Sequence, residues 1–108
     1  MIARAWSGRT KKEHAEAYAQ VVLDTGIAGM TQTPGNRGAW VLRRVDGEEA
    51  EFLVVSFWDL LENIKAFAGA EVDRAKYYPQ DDPYLLERAK KVVHYDVVHS
   101  SMTEPCKR

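Results

Sequence analysis

Two adjacent phenols, Tyr77 and Tyr78, and one histidine, His94, are the side chains in this chain best suited to move a proton near neutral pH. A phenol donates, accepts or exchanges a proton, and an imidazole titrates within the physiological range. Asp96 lies two residues beyond His94, on the same side of any strand that holds both. The competing reading is structural: rim tyrosines, and a strand histidine tied to its neighbour. His14 and His99 read as surface groups. No pair of histidines has metal-ligand spacing with a carboxylate, so no metal site is expected. Ser7, Ser56 and Ser100 lack the Gly-x-Ser-x-Gly turn of a nucleophile elbow. Gly35 and Gly38 do not follow a strand and open a helix, so they make no nucleotide loop. Arg37, Arg43 and Arg44 are able to bind an anionic group, but solvated strand and loop charges account for them as well.

The elements that must position these groups follow from periodicity. Ile2 to Gly8 reads as a first strand, with Ile2, Arg4 and Trp6 on one face and Ala3, Ala5 and Ser7 on the other. Thr10-Lys-Lys-Glu13 matches a capping box for a helix whose Ala15, Tyr18, Ala19 and Val22 share one apolar face. Gly26 is placed to stop that helix, and residues 28–38 read as loop. A second strand is expected from Ala39 to Val45, a tight turn at Asp46-Gly47, and a third strand from Ala50 to Trp58. Asp59 is the expected cap of a second helix carrying Leu60, Ile64 and Phe67 and ending at Gly69. A helical turn near Val72 to Tyr77, a short helix from Asp82-Pro83 to Ala89, and a last strand from Val92 to His99 complete the reading.

This order is βαββαβ, an α+β ferredoxin-like domain with a four-stranded antiparallel sheet. It is assigned to residues 1–99, with 100–108 as a C-terminal tail. Its helices cover one face of the sheet. Yet strand three sets Phe52, Val54, Ser56 and Trp58 against Leu53, Val55 and Phe57, so both of its faces are apolar. Val93, Tyr95 and Val97 add to the uncovered side. A monomer rarely exposes such a patch, and the simplest cover is a second copy, sheet against sheet. A homodimer is therefore expected.

Composition narrows the function classes. Lys plus Arg total 15 against 16 Asp plus Glu, a net charge of -1, which leaves no basic excess for a phosphate backbone and predicts no nucleic-acid binding. The single cysteine, Cys106, supports neither a disulfide framework nor a thiolate zinc site. The longest apolar run is Phe52 to Val55, and Arg4 and Arg9 interrupt the N-terminus, so no membrane span or targeting signal is expected and the chain reads as cytoplasmic.

Several local features resemble an antibiotic biosynthesis monooxygenase (ABM) domain of the dimeric α+β barrel superfamily. They are Ile2-Ala-Arg-Ala-Trp6, Pro34-Gly-Asn-Arg-Gly38, Val55-Ser-Phe-Trp58-Asp, Ile64-Lys-Ala-Phe-Ala-Gly69, Ala75-Lys-Tyr-Tyr-Pro79 and Val93-His-Tyr-Asp-Val97. The resemblance spans roughly residues 1–99. It implies a face-to-face dimer and a small-molecule monooxygenase that acts, without cofactor, on an aromatic or polyketide-like substrate. The haem-degrading branch uses an asparagine in the first strand, a tryptophan late in the second main helix and a histidine shortly after. Those positions fall here on Trp6 (or Ser7), Phe67 and Tyr77, so haem degradation is not the expectation. The implied pocket lies between helices and sheet, lined by Trp6, Phe67, Tyr78 and Trp58, with Tyr77 and His94 as the catalytic candidates. The alternative is a non-catalytic dimeric module that binds a small apolar ligand or stabilises a partner, since the same residues also make an inert core.

Overall fold

The computed structural model describes residues 1–102; Cys106 and most of the expected tail lie outside the described residues. Four strands form one antiparallel sheet: β1 (Ile2–Lys11), β2 (Asn36–Asp46), β3 (Glu49–Trp58) and β4 (Val93–Asp96), in the order β2-β3-β1-β4. The register places Trp6 opposite Val54 and Arg4 between Ser56 and His94. The α+β ferredoxin-like architecture expected from the sequence is the one observed. The Asp46-Gly47 turn joins β2 to β3, and Gly47 takes the positive φ, 66°, that a two-residue hairpin requires.

The helices cover the face that carries Ile2, Arg4, Trp6, Phe52, Val54 and Trp58. On it, Tyr18, Phe52, Val54, Trp58, Ile64 and Phe67 form the core. Tyr18 meets Phe52 edge-on at 5.1 Å between ring centroids, and Trp58 tilts against Phe67 at 5.7 Å. The opposite face keeps Trp40, Leu42, Leu53, Val93 and Tyr95 exposed. The two apolar sets read from β3 are thus real, and only one has a cover among the described residues. Among the described residues no helix is long and apolar enough to cross a membrane.

Several expected boundaries move, each for a local reason. Thr10 is not a helix cap. It is fully buried as the penultimate residue of β1, opposite Ala50, and the Lys12 N–H finds its acceptor in the Glu48 carbonyl instead. A 3₁₀ turn (Lys12–His14) leads into α1 (Ala15–Val22) with no side-chain cap. Gly26 does not stop the helix. The chain widens into a π-helical turn (Leu23–Ile27) and runs on as α2 (Ala28–Thr31), so the expected loop shrinks to residues 32–35, between α2 and the start of β2 at Asn36. A glycine ends a helix by turning left-handed, which Gly26 does not do. The stop falls instead just before Pro34, whose ring disfavours helix in the residue ahead of it.

Helix α3 (Leu61–Ala68) ends at Gly69, φ 97°, as expected. Its start is held by Asn63, whose Oδ1 accepts the Leu60 N–H at 3.0 Å, because Asp59 is occupied by Arg37 at 2.7 Å. Leu60 lies exposed, not on the core face. Neither the turn at 72–77 nor the helix at 83–89 forms. Their backbone groups bond across the fold: Leu86 N–H to Arg9 O, Ala75 N–H to Lys90 O and Val92 N–H to Asp73 O. One 3₁₀ turn (Pro79–Asp81) interrupts the stretch. Strand β4 stops at Asp96, opposite Ile2, with one further bond from the Val97 N–H to the Met1 carbonyl at 3.0 Å where the chain begins.

Candidate functional site

The sheet, the helical run 15–31, α3 and the segment 72–92 enclose one cleft with apolar and aromatic walls. Its cavity volume is about 60 Å³, within a half-open void of about 510 Å³ that includes the mouth. Trp6 reaches it from β1, Phe67 from α3 and Tyr78 from the irregular segment. Val22, Ile27, Met30, Val54 and Val92 complete the apolar lining. Two glycines make this shape possible. A Cβ on Gly8 would stand 2.6 Å from the Trp6 ring, so glycine there lets the indole lie along the strand. A Cβ on Gly29 would meet Phe67 at 3.3 Å and the Tyr78 hydroxyl at 3.6 Å.

The polar groups of the cleft are nearly all committed to the fold. Tyr18 donates its hydroxyl to Asp81 Oδ1 at 3.0 Å, while the Tyr78 N–H donates to Asp81 Oδ2 at 2.8 Å. Burial, reinforced by the Asp81 charge, pushes the Tyr18 phenol far above its ordinary pKa. Lys76 donates Nζ to the Phe67 carbonyl at 2.8 Å and lies over the Phe67 ring at 4.6 Å from its centroid. Thr25 is tied to the Val21 carbonyl. Arg4 donates Nη1 to the Val72 carbonyl and to His94 Nε2 (3.2 Å), and Nη2 to the Arg74 carbonyl at 3.1 Å. Burial lowers its pKa, and Asp73 opposes that. The exception is the Tyr78 hydroxyl, which has no hydrogen-bond partner among the described residues. Burial, then the Asp81 charge, raises the Tyr78 pKa, so the phenol stays protonated at neutral pH and is a donor.

The six sequence candidates divide evenly. Trp6, Phe67 and Tyr78 line the cleft, whereas Tyr77, His94 and Trp58 do not. Tyr77 accepts the Trp6 Nε1–H at 3.2 Å, donates to the Ala89 carbonyl at 2.6 Å, and lies under the Arg88 guanidinium. Its hydroxyl therefore fixes Trp6. His94 is set behind Arg4, with Nδ1 3.1 Å from Asp73 Oδ1. A neutral ring that donates from Nδ1 and accepts at Nε2 satisfies both contacts. Burial, then the Arg4 charge, holds the His94 pKa below its usual value, in keeping with that neutral form. Trp58 is fully buried, donates Nε1 to Ser56 Oγ at 2.9 Å, and backs Phe67.

Sequence reasoning passed over Arg4, Tyr18, Lys76 and Asp81, all of which line the cleft. Arg4 was visible as a charge on the inward face of β1, between Ile2 and Trp6. The three arginines first considered for an anion are paired elsewhere: Arg37 with Asp59, Arg43 with Glu16, and Arg44 with Glu51. Among the described residues, no group of three or more His, Cys, Asp or Glu side chains is arranged to hold a metal ion.

No family model matches the sequence, and no curated protein does. Solved structures do match the fold. One is a point mutant of MhuD with two manganese protoporphyrin IX molecules bound per active site. It has a TM-score of 0.60 and 20% identity, over 95% of this chain and 100% of that one. Another is the heme-degrader MhuD from Mycobacterium tuberculosis with two hemes in its active site. It has a TM-score of 0.56 and 20% identity, over 93% and 98% of the two chains. At that identity the likeness establishes a shared fold.

Proposed function

We propose that this chain is a cofactor-free monooxygenase of the antibiotic-biosynthesis type, acting on an electron-rich aromatic substrate held in the cleft. The observation that carries the reading is the protonated Tyr78 hydroxyl, without a hydrogen-bond partner among the described residues, inside an aromatic-walled cleft whose other hydrogen-bonding side chains each already hold at least one partner. Trp6 and Phe67 supply ring faces, and Tyr78 donates to a substrate oxygen. Arg4 and Lys76 favour the deprotonated substrate by their positive charge, its proton leaving to water at the open mouth of the cleft and returning from there to the peroxide anion. That anion passes one electron to O₂, and the radical pair joins to form a C–O bond. Loss of water from the hydroperoxide then leaves a carbonyl, so that CH₂ and O₂ become C=O and H₂O. Tyr77 and His94 act one layer behind, as positioning residues for Trp6 and Arg4, and Trp58 supports Phe67.

Haem is the ligand that the MhuD structures bring to mind, and the donor set here fits it poorly. The cleft is lined by neither imidazole nor thiolate. Burial holds both lining phenols protonated, away from the phenolate that ligates iron. Both nitrogens of His94 are committed to Arg4 and Asp73. A cavity of about 60 Å³ holds on the order of four waters, so a porphyrin would have to extend into the open part of the cleft. No step is routed through haem.

The active form is proposed to be a homodimer built on the open sheet face, where Trp40 (43% exposed), Leu42 (47%) and Tyr95 (57%) await cover. The decisive experiment is oxygen uptake, aerobic against anaerobic, with anthrone, hydroquinone and haem as substrates. Uptake with a phenolic substrate and none with haem is expected. Binding of the phenols without uptake would favour the non-catalytic module, which the lack of an uncommitted base in the cleft also suits.

A further inference from the structure

We infer that the cleft is built for an anion: its aromatic ligand carries a carboxylate, and Arg4 is the residue that selects it. The inference rests on the reading of the cleft as an aromatic site and adds the charge of what enters.

It starts from a census of the arginines. Seven lie among residues 1–102, and six are ion-paired: Arg9, Arg37, Arg43, Arg44, Arg74 and Arg88 each have a carboxylate within 4.0 Å. All six are at the surface, where such pairs contribute little. The seventh, Arg4, is only 4% exposed and has no carboxylate in contact. This inverts the physical expectation, because a buried charge is the one that most needs a partner.

What surrounds Arg4 positions the guanidinium without neutralising it. Two backbone carbonyls and one imidazole nitrogen accept three of its five N–H donors. The carboxylate of Asp73, bonded to His94, acts on Arg4 by its charge from beyond ion-pair distance. Two donors remain, on a planar group whose fork matches a carboxylate. A second cation, Lys76, lines the same cleft and likewise has no carboxylate in contact, only the Phe67 carbonyl and two ring faces. The one acid lining the cleft among the described residues, Asp81, takes its hydrogen bonds from Tyr18 and Tyr78. Two cations against one committed acid leave a positive site with flat walls, which suits an aromatic acid.

The test compares 1-naphthoate with 1-naphthalenemethanol, two probes with the same ring and different charge, by quenching of tryptophan fluorescence and by equilibrium dialysis. The wild-type protein should bind the carboxylate on the order of tenfold tighter or more, the scale of a hydrogen bond to a charged group. Arg4→Met should erase that preference while still binding the alcohol, Arg4→Lys should keep part of it, and the surface control Arg44→Met should keep all of it. Equal binding of the two probes by the wild type overturns the anion inference and leaves the aromatic cleft standing. Binding of neither overturns both. A preference that survives in Arg4→Met removes Arg4 as its source. If Arg4→Met fails to fold, the wild-type comparison and Arg4→Lys decide the matter, since full loss of preference in Arg4→Lys still assigns it to the guanidinium fork.

Discussion

Three tyrosines around the cleft allow one chemical change to be made in three environments, and the structure orders the outcomes. Each Tyr→Phe substitution removes one hydroxyl and keeps the ring. In Tyr18→Phe the lost hydroxyl is buried and donates to Asp81, itself only 4% exposed. A hydrogen bond to a charged group contributes about 1.5–3 kcal/mol, and the abandoned carboxylate oxygen adds its own desolvation cost. For a domain of about 100 residues each kcal/mol moves the midpoint by about 4–8 °C, so Tm should fall by roughly 6–24 °C. Tyr77→Phe breaks two neutral contacts, to Trp6 and Ala89, near the surface; about 1 kcal/mol is expected, together with a shift in Trp6 fluorescence. Tyr78→Phe removes a hydroxyl with no partner, and stability should stay within about 0.5 kcal/mol of wild type. Turnover should follow a different order. Tyr78→Phe should lose roughly 10²-fold in rate on an identified substrate, the scale of a missing acid–base group. Scanning calorimetry and oxygen uptake on the three variants separate the two rankings. Destabilisation in Tyr78→Phe equal to that in Tyr18→Phe would refute the claim that its hydroxyl is free. Undiminished turnover would remove it from the mechanism.

Other outcomes follow from the same geometry. Sedimentation at micromolar concentration should give a dimer burying on the order of 2,000 Å² in total, and Leu42→Asp on the open sheet face should give a folded monomer; a monomeric wild type would defeat this. His94 has a folded pKa below its unfolded value, so its stabilising effect is complete above the unfolded value and declines as pH falls through that value toward the folded one. Stability should therefore drop on going from pH 7.5 to 5, with Arg4 and Asp73 the charged groups facing the ring. His94→Gln should flatten that slope, and urea melts at the two pH values would detect a slope that is unchanged. Gly29→Ala should leave Tm level or slightly raised, because alanine favours helix by about 1 kcal/mol, while weakening ligand binding by crowding Phe67 and Tyr78. Unaltered affinity in a folded Gly29→Ala protein would place the ligand elsewhere.

Much of the scaffold was legible because alternation is a local property. The inward set Ile2, Arg4 and Trp6, the two faces of β3 and the Asp46-Gly47 hairpin all follow from spacing of two and from one glycine. The segment 72–92 was not legible, because its partners are remote. Leu86 bonds to Arg9, Val92 to Asp73 and Ala75 to Lys90, and these contacts outbid the weak helical signals at 72–77 and 83–89. The site divided along the same line. Aromatic residues announced themselves by type, and three of the five chosen line the cleft. Arg4 did not, because pattern reading treats a lone charge among strand residues as an interruption. The sequence carried the anomaly, a charge on the buried face, but only the arrangement of carboxylates showed that this charge has none beside it.

The π-helical turn at Leu23–Ile27 amounts to one residue more than a regular helix would hold, and it falls beside the cleft, with Thr25, Gly26 and Ile27 in its wall. A residue in an α-helix is worth about 100° of rotation. The turn thus acts as a phase shifter: the face of α1 that buries Tyr18 and Val22 fixes one angle, and the face of α2 that presents Gly29 and Met30 is set by the insertion. A one-residue insertion or deletion inside this run would leave α1 seated on the sheet and swing α2 by about 100°, taking Met30 out of the wall and Gly29 away from Phe67. One side of the cleft therefore depends on chain length as much as on residue identity, and relatives with the same helix face but a different count would present a differently shaped opening.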